Sequence, residues 1–501
     1  MAHLPGFLTL LFSACLLQQV ALRGSLQVLA ESLKEPGSGA KTPIPVFVML
    51  PLDILDDQHK VHYGQGSAHD QEVALGDDLR KLSKVGVQGV MVDCWWGKVE
   101  AEVQGQYEWE GYKRLFSIVY SASLELHVVM SFHACGNGVG DNVEIPLPNW
   151  VTEIGKQNPD IFYKDAGGIP DYEYLSLAVD NQPVLNGLTP LQVYYNFMFQ
   201  FSKNMKNYFA KSPETKGITT IEVGLGPSGE LRYPAYRLRW KFDPPPPGVG
   251  EFQCYDKYMM KSWEDEATKQ GLSIPCRVGP QTAGDYSSTP NQTQFFRDKS
   301  QTQLVIDQKE INLTYGICYW DKYGKAFLTW YSKNLVDHGN RVLQTAKRIF
   351  QSEVKIAAKV PGIHWWYDTE SHAAEATAGL FNGVTDNLSV YKSIADTLEV
   401  LRATFIFTCA ELSNDGQKKA NAACDPEKLV KEVMEVAGRS NVSRAAENAL
   451  EAYDKESYNR IIRVADTHDI SYFTYMRLGP NLMDQTHLAV FKKFVEGMEG
   501  T

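Results

Sequence analysis

What this sequence has little of narrows its class first. Its eight cysteines (Cys15, Cys94, Cys135, Cys254, Cys276, Cys318, Cys409 and Cys424) are thinly spread, with no C-x-x-C pair and no zinc spacing. They read as free or buried thiols, not as a disulfide framework. The chain lacks basic clusters and carries a formal net charge of -11, which excludes a surface built for nucleic acid or an anionic membrane. Phe7 to Leu17 is apolar but too short for the roughly 20 residues of a membrane span. There is no P-loop, no G-x-S-x-G elbow, no H-E-x-x-H and no repeat at solenoid period. Common phosphate, serine-nucleophile and zinc chemistries therefore have no sequence support.

What is present describes a soluble globular protein. At 501 residues, 44% hydrophobic and 22% charged, the chain is long enough for one large α/β barrel or for two to three ordinary domains. Ten Trp and 25 Tyr suit the apolar faces of neutral sugar rings, and an acidic chain is compatible with a neutral substrate. Residues 1–42 read as a targeting segment and linker. Phe7 to Leu17 serves as a signal-peptide core; the rival is an atypical plastid transit segment, since no acidic residue precedes Glu31. Secretory route and plastid both stand. Glu35 to Thr42 is a Gly/Ser/Pro linker, and residues 43–501 form the folded domain with a C-terminal tail.

Apolar runs alternate with helical patterns through that domain. Strands are expected at Ile44 to Leu50, Val87 to Trp96, Leu126 to His133, around Ile221, and at Val354 to Val360, Thr404 to Thr408 and Tyr472 to Tyr475. Helices are expected through Leu75, Leu79 and Leu82, and at Tyr112 to Ser123, Pro190 to Phe209, Phe327 to Ile349, His372 to Leu380 and Glu427 to Val436. This is the signature of βαβ units and a parallel sheet, whose strands are buried on both faces and so run nearly continuously apolar.

The stretch Ile221 to Pro234, IEVGLGPSGELRYP, organises the rest. Gly224, Gly226 and Gly229 satisfy G-x-G-x-x-G, but Pro227 and Pro234 forbid the helix that a dinucleotide turn needs. Glu230 is instead a carboxylate at a strand end, where barrels keep their catalytic groups. Other strand ends share that composition: Asp93 with Trp95, His133 with the glycine-rich loop ending at Asp141, Lys359 with His364 and Trp365, and Thr408 with Glu411. His364 and His372 lack a metal-ligand pattern, and His372 with Glu375 reads as a surface pair. By pattern alone Ala446 to Tyr453 is an ordinary amphipathic stretch.

The stretches VMLPLD, GVMVDCWWG, MSFHACG, EVGLGPSGELRYP, GEFQCYDKY, FLTWYS, GIHWWY, SHAAEATAG, FTCAE and ENALEAYD run in that order from Val48 to Asp454. In that order they resemble plant-type β-amylase, glycoside hydrolase family fourteen. The resemblance implies a single (β/α)8 TIM barrel with long loops on the catalytic face. It implies an exo-acting enzyme that removes β-maltose from the non-reducing ends of starch, amylose-type glucans and maltodextrins, with no metal or organic cofactor. Glu230 of GELRYP carries over as the general acid and Glu447 of ENAL as the general base. Inversion then requires the two carboxyls about 6.5 to 9.5 Å apart, leaving room for a water. Asp93, Trp95, His133, Asp141, Arg232, Tyr236, Lys359, His364, Asn448, Ala449 and Arg477 are implied sugar contacts, with Asp141 on a mobile lid. Leu450 resembles the residue that packs against bound maltose, and Thr408 belongs to an inner loop that switches on product binding.

Three departures matter. The lid reads GNGVGD where the family pattern is GGNVGD, so Asn137 and Gly138 are exchanged and the backbone freedom of the hinge moves by one position. Ile406 replaces an Asn before FTC and removes a polar side chain from the inner loop; Ala446 replaces a Gly before ENAL. The segment from Ser300 to Ile317 looks inserted. These changes motivate the alternative of a maltodextrin-binding regulator with little or no turnover.

Overall fold

Eight parallel strands, each handed on to the next by a helix, close into a barrel in sequence order. The strands are β1 (Val46–Met49), β2 (Gly89–Trp95), β3 (Glu125–Ser131), β4 (Ile218–Val223), β5 (Lys355–Val360), β6 (Ala403–Phe407), β7 (Arg444–Glu447) and β8 (Phe473–Tyr475). The helices that follow them are α1 (Ala68–Lys84), α2 (Glu110–Ser121), α3 (Pro190–Asn204), α4 (Lys322–Phe350), α5 (Ser389–Leu401), α6 (Pro426–Arg439), α7 (Lys455–His468) and α8 (Gln485–Met498). Each strand pairs in parallel with its sequence neighbours, and β8 closes on β1 through Val46 opposite Phe473. This computed structural model describes residues 42–136, 143–212, 214–238, 247–272, 279–298, 318–350, 353–382, 388–418 and 421–500. The lid residues Asn137, Gly138 and Asp141 and the segment 300–317 lie outside the described residues, as does the N-terminal run. Ile44–Glu499 make one compact unit.

Local chemistry sets the helix starts. Ser67 caps α1 and Thr189 caps α3, each in a reciprocal capping box, with Pro190 at the first turn of α3. Asp425, Asp454 and Asp484 accept amide N–H bonds at the starts of α6, α7 and α8.

The barrel interior is filled by side chains and is not a pore. Phe47, Ala357, Ile406, Ala445 and Tyr472 pack together, and His127 stacks on Phe47 with ring centroids 3.6 Å apart. Met49, Met91 and Val129 form a second cluster. Register then brings polar side chains to the carboxyl ends: Glu222 lies opposite Ala357, Lys359 opposite Ile406 and Glu447 opposite Thr474. Carboxyl strand ends are where a barrel carries its chemistry.

Two expectations need correction. Ala446 to Tyr453 is not an amphipathic stretch of helix: it begins in β7, whose four residues are too few to show periodicity. Ile406 sits within β6, not in the inner loop, and its side chain joins the apolar filling of the barrel.

Candidate active site

In β5 the alternation Ala357, Lys359 places both side chains on the inner face. Lys359 Nζ stands 3.1 Å from Glu447 Oε2 and 3.6 Å from Glu222 Oε1. Burial works against the ammonium charge, but Glu447, Glu222, Glu230 and Asp93 outweigh it and push the lysine's pKa well up. Burial also pushes Glu447 up, with Lys359 opposing. Glu447 Oε1 is buried and has no hydrogen-bond partner among the described residues, and the same holds for Glu222 Oε1.

Glu222 went unrecognised by sequence reasoning. It lies in β4, only 1% exposed, and burial raises its carboxyl to about 8 against the pull of Lys359. A charged residue inside an otherwise apolar strand, EVGLG after Ile221, was the available signal. Because its folded pKa of about 8 exceeds the ordinary 4.5, Glu222 contributes stability that is fully present below pH 4.5 and is lost as pH rises through about 8. Glu222→Gln keeps the shape of the protonated acid and removes that loss. Its thermal midpoint is expected to fall less than that of the wild type across this window; parallel declines would refute the assignment.

Glu230 reaches the same lysine by its backbone. It forms an isolated parallel bridge with Lys359, and the next amide, Leu231 N–H, donates to Lys359 O at 2.9 Å. The preceding turn is built on close backbone approach, not on phosphate binding. A Cβ on Gly226 would lie 2.6 Å from the carbonyl oxygens of both Arg232 and Glu230, and Gly229 holds φ of +74°. Arg232 Nε donates to Glu230 Oε2 at 2.8 Å and its terminal nitrogen to Ser228 Oγ at 3.1 Å, which fixes the carboxyl.

Two buried groups brace this turn from behind. Ser228 N–H donates to Glu173 Oε1 at 3.0 Å; burial raises Glu173 to about 8, Arg232 opposing and Asp171 adding. His338 on α4 lies 2.8 Å from Asp180 Oδ2 through Nδ1 and 3.2 Å from Leu225 O through Nε2. Neither Glu173 nor His338 carried a recognisable sequence signal.

Two buried glutamates, Glu222 and Glu447, thus meet one lysine at the carboxyl end of a closed parallel barrel. The family model described as glycosyl hydrolase family 14 matches residues 47–500. The chain belongs to this family.

Its family-14 relatives are matched along most of their length. The chain is 44% identical over 467 residues to Beta-amylase 2, chloroplastic, of Arabidopsis thaliana, covering 91% of this chain and 79% of that protein. It is 40% identical over 468 residues to Beta-amylase Tri a 17 of Triticum aestivum, covering 91% and 86%. Among solved structures, the catalytic domain of beta-amylase from Paenibacillus polymyxa superposes with a TM-score of 0.69 at 26% identity, covering 92% of this chain and 100% of that one.

The remaining expected residues divide by what their polar atoms already hold. Asp93 Oδ1 accepts from Ser131 Oγ at 2.7 Å and, with Glu447 and Glu222, faces Lys359. His133 is 5% exposed, its ring edges onto Trp95 at 5.0 Å, and its Nδ1 has no partner among the described residues. Burial, then Lys359 and Arg232, lower it to about 3, so the ring is neutral. Trp95 is a wall: its indole N–H donates to Leu52 O at 2.9 Å. Tyr236 accepts from the Trp365 indole at 2.7 Å and donates to Gly248 O at 2.5 Å. His364 meets Gln417 Oε1 at 3.2 Å, and Thr408 Oγ1 accepts from Gly362 N–H at 2.8 Å, beside Cys409, whose Sγ lies 3.0 Å from Gly362 O.

Three expected sugar contacts are partly committed elsewhere. The Asn448 amide ties β7 to β8, donating to Met476 O and accepting from Met476 N–H at 2.9 and 2.8 Å, next to Arg477. The amides of Ala449 and Leu450 both donate to Glu411, leaving the Ala449 carbonyl and methyl for any ligand. Leu450 itself is 45% exposed. The pairing of His372 with Glu375 also needs correction. It forms at 2.7 Å, but Glu375 is wholly buried and also accepts from Tyr391 OH, so this is an interior network.

Proposed function

We propose that this member of the β-amylase family binds starch-type α-1,4-glucans, amylose-type chains and maltodextrins at their non-reducing ends and hydrolyses them to β-maltose with inversion. Glu230 is the acid and Glu447 the base. The observation that carries this reading is the shared lysine: Lys359 holds Glu447 by its ammonium group while its backbone pairs with Glu230. Both glutamates are thereby tied to Lys359, one through its backbone and one through its side chain.

In the reaction Glu230 gives its proton to the glycosidic oxygen as the bond to the anomeric carbon breaks. Water attacks that carbon from the opposite face and loses its proton to Glu447, so the α-linkage yields a β-hemiacetal. The free Oε1 of Glu447 supports its role as the acceptor. The unpartnered Nδ1 of the neutral His133 suits a sugar hydroxyl, and Asp93 supplies an acceptor at the same end. Arg232, Tyr236, His364 and Leu450 would border the sugar chain.

Proton NMR of the protein mixed with maltohexaose tests the stereochemistry, read at the earliest time points before mutarotation. The β-anomer of maltose is expected first. An α-product would overturn inversion, and maltose binding without any product would favour the maltodextrin-binding regulator.

A further inference from the structure

Beside the catalytic mouth lies an open cavity of about 510 Å³, to which Leu450 is the only contributor among the assigned residues. Two links join it to the site. Its wall residue Gln417 bonds His364 Nε2 at 3.2 Å, and Leu450, held by Glu411 at 2.7 Å, stands exposed between cavity and mouth. At the cavity's far side Tyr453 and His487 stack, ring centroids 4.6 Å apart and planes 16° from parallel. The pair is fixed in advance: Tyr453 OH donates to Glu451, and His487 Nδ1 donates to Asn481 O at 2.8 Å.

The lining selects against negative charge. Glu411, Glu451 and Asp454 all line the cavity, so an anion meets carboxylates. Arg460 offers little compensation, since its Nε donates to Glu411 O at 2.6 Å and a terminal nitrogen to Ser457 Oγ at 3.0 Å. Acceptor groups around a half-exposed aromatic pair suit a neutral molecule with many hydroxyls and an apolar face, which describes a pyranose ring.

We propose that this cavity binds glucose units of the α-1,4-glucan that lie well beyond the maltose being released. The proposal rests on the reading of an exo-acting site. If the non-reducing end enters the barrel, the rest of the chain leaves the site on its open side, where the exposed Leu450 is shared with the cavity wall. The ligand is the same neutral glucan, held at a distance from the scissile bond, so the site acts on chain length and not on chemistry.

Initial rates on maltotetraose and on a long linear maltodextrin separate the two. Tyr453→Ala and His487→Ala are each expected to raise KM for the long chain about five-fold, with kcat and the maltotetraose kcat/KM changed by less than about two-fold. Tyr453→Phe, which keeps the ring, should stay near wild type. Equal changes on both substrates, or none on either, overturn the proposal. If one alanine variant fails to fold, the other carries the comparison. If the wild type releases no maltose from either glucan, the catalytic reading fails instead. Calorimetry with the same two glucans then decides: a long-chain preference lost in the variants sustains the cavity, and equal affinity for both removes it.

Discussion

Glu230→Gln and Glu447→Gln are each expected to lower kcat on maltodextrins by about 10³-fold or more, while maltose binding, measured by calorimetry, changes little. The two losses should be separable. Replacing Glu230 removes the proton donor, so a substrate whose leaving group needs no proton, such as a maltosyl fluoride, is expected to regain most of its rate in Glu230→Gln and little in Glu447→Gln. Replacing Glu447 removes the acceptor for the proton of water. A small anion that needs no deprotonation, such as azide, should partly rescue a Glu447→Ala variant, whose shortened side chain leaves space, and form a β-maltosyl azide. It should not rescue Glu230→Gln on an ordinary glucan. Exchange of these two rescue patterns would reverse the roles, and near-normal activity in either variant would remove that residue from the chemistry.

The two carboxylates sit in different surroundings. Glu447 is 2% exposed with one oxygen on Lys359, whereas Glu230 sits at the rim on Arg232. Behind them Glu222 and Glu173, both raised to about 8 chiefly by burial, retain protons through the neutral range. The site thus carries fewer charges than its residue count suggests. Neutral acids at these depths avoid the cost of extra unpaired charges in a low-dielectric interior.

Much of this was legible in the sequence where strands were long or ended in a signature. Leu126 to His133 and Val354 to Val360 are short β-rich stretches whose apolar residues dominate, and the observed β3 and β5 fall within a residue or two of them. Glu230 announced itself as the first ionisable group past a Gly/Pro turn. Glu447 did not, because β7 has only four residues and alternation cannot be read over so short a span; only the ENAL resemblance identified it. Glu222 and His338 were hidden for another reason: their roles depend on partners far along the chain, Lys359 for the first and Asp180 for the second. Local periodicity carries no information about such pairings. Ile406 shows the converse, since its place in β6 makes its apolar side chain part of the barrel filling beside Phe47 and Tyr472.

Lys359→Met is the change expected to cost stability most. The lysine is the only cation within ion-pair distance of either Glu222 or Glu447 among the described residues, at 3.6 and 3.1 Å. Methionine fills most of the volume but leaves Glu447 buried without its cation, beside a Glu222 that burial keeps protonated through the neutral range. Breaking one partner of such a buried set costs about 3–5 kcal/mol, unless Glu447 takes up a proton. Proton uptake defeats the base, because a protonated Glu447 cannot accept a proton from water. The variant should therefore lose activity to about the level of Glu447→Gln and melt well below wild type. The deficit should depend on pH with a definite sign. Without the ammonium the folded-state pKa values of Glu222 and Glu447 rise further above 4.5, so the native state holds more protons than the unfolded chain over a wider range. Stability is then best in acid and falls more steeply than in wild type as pH increases. Thermal midpoints recorded across pH would read this directly. A deficit that is constant with pH, or a variant that retains turnover, would mean that Lys359 neither neutralises these two acids nor maintains the ionised form of Glu447.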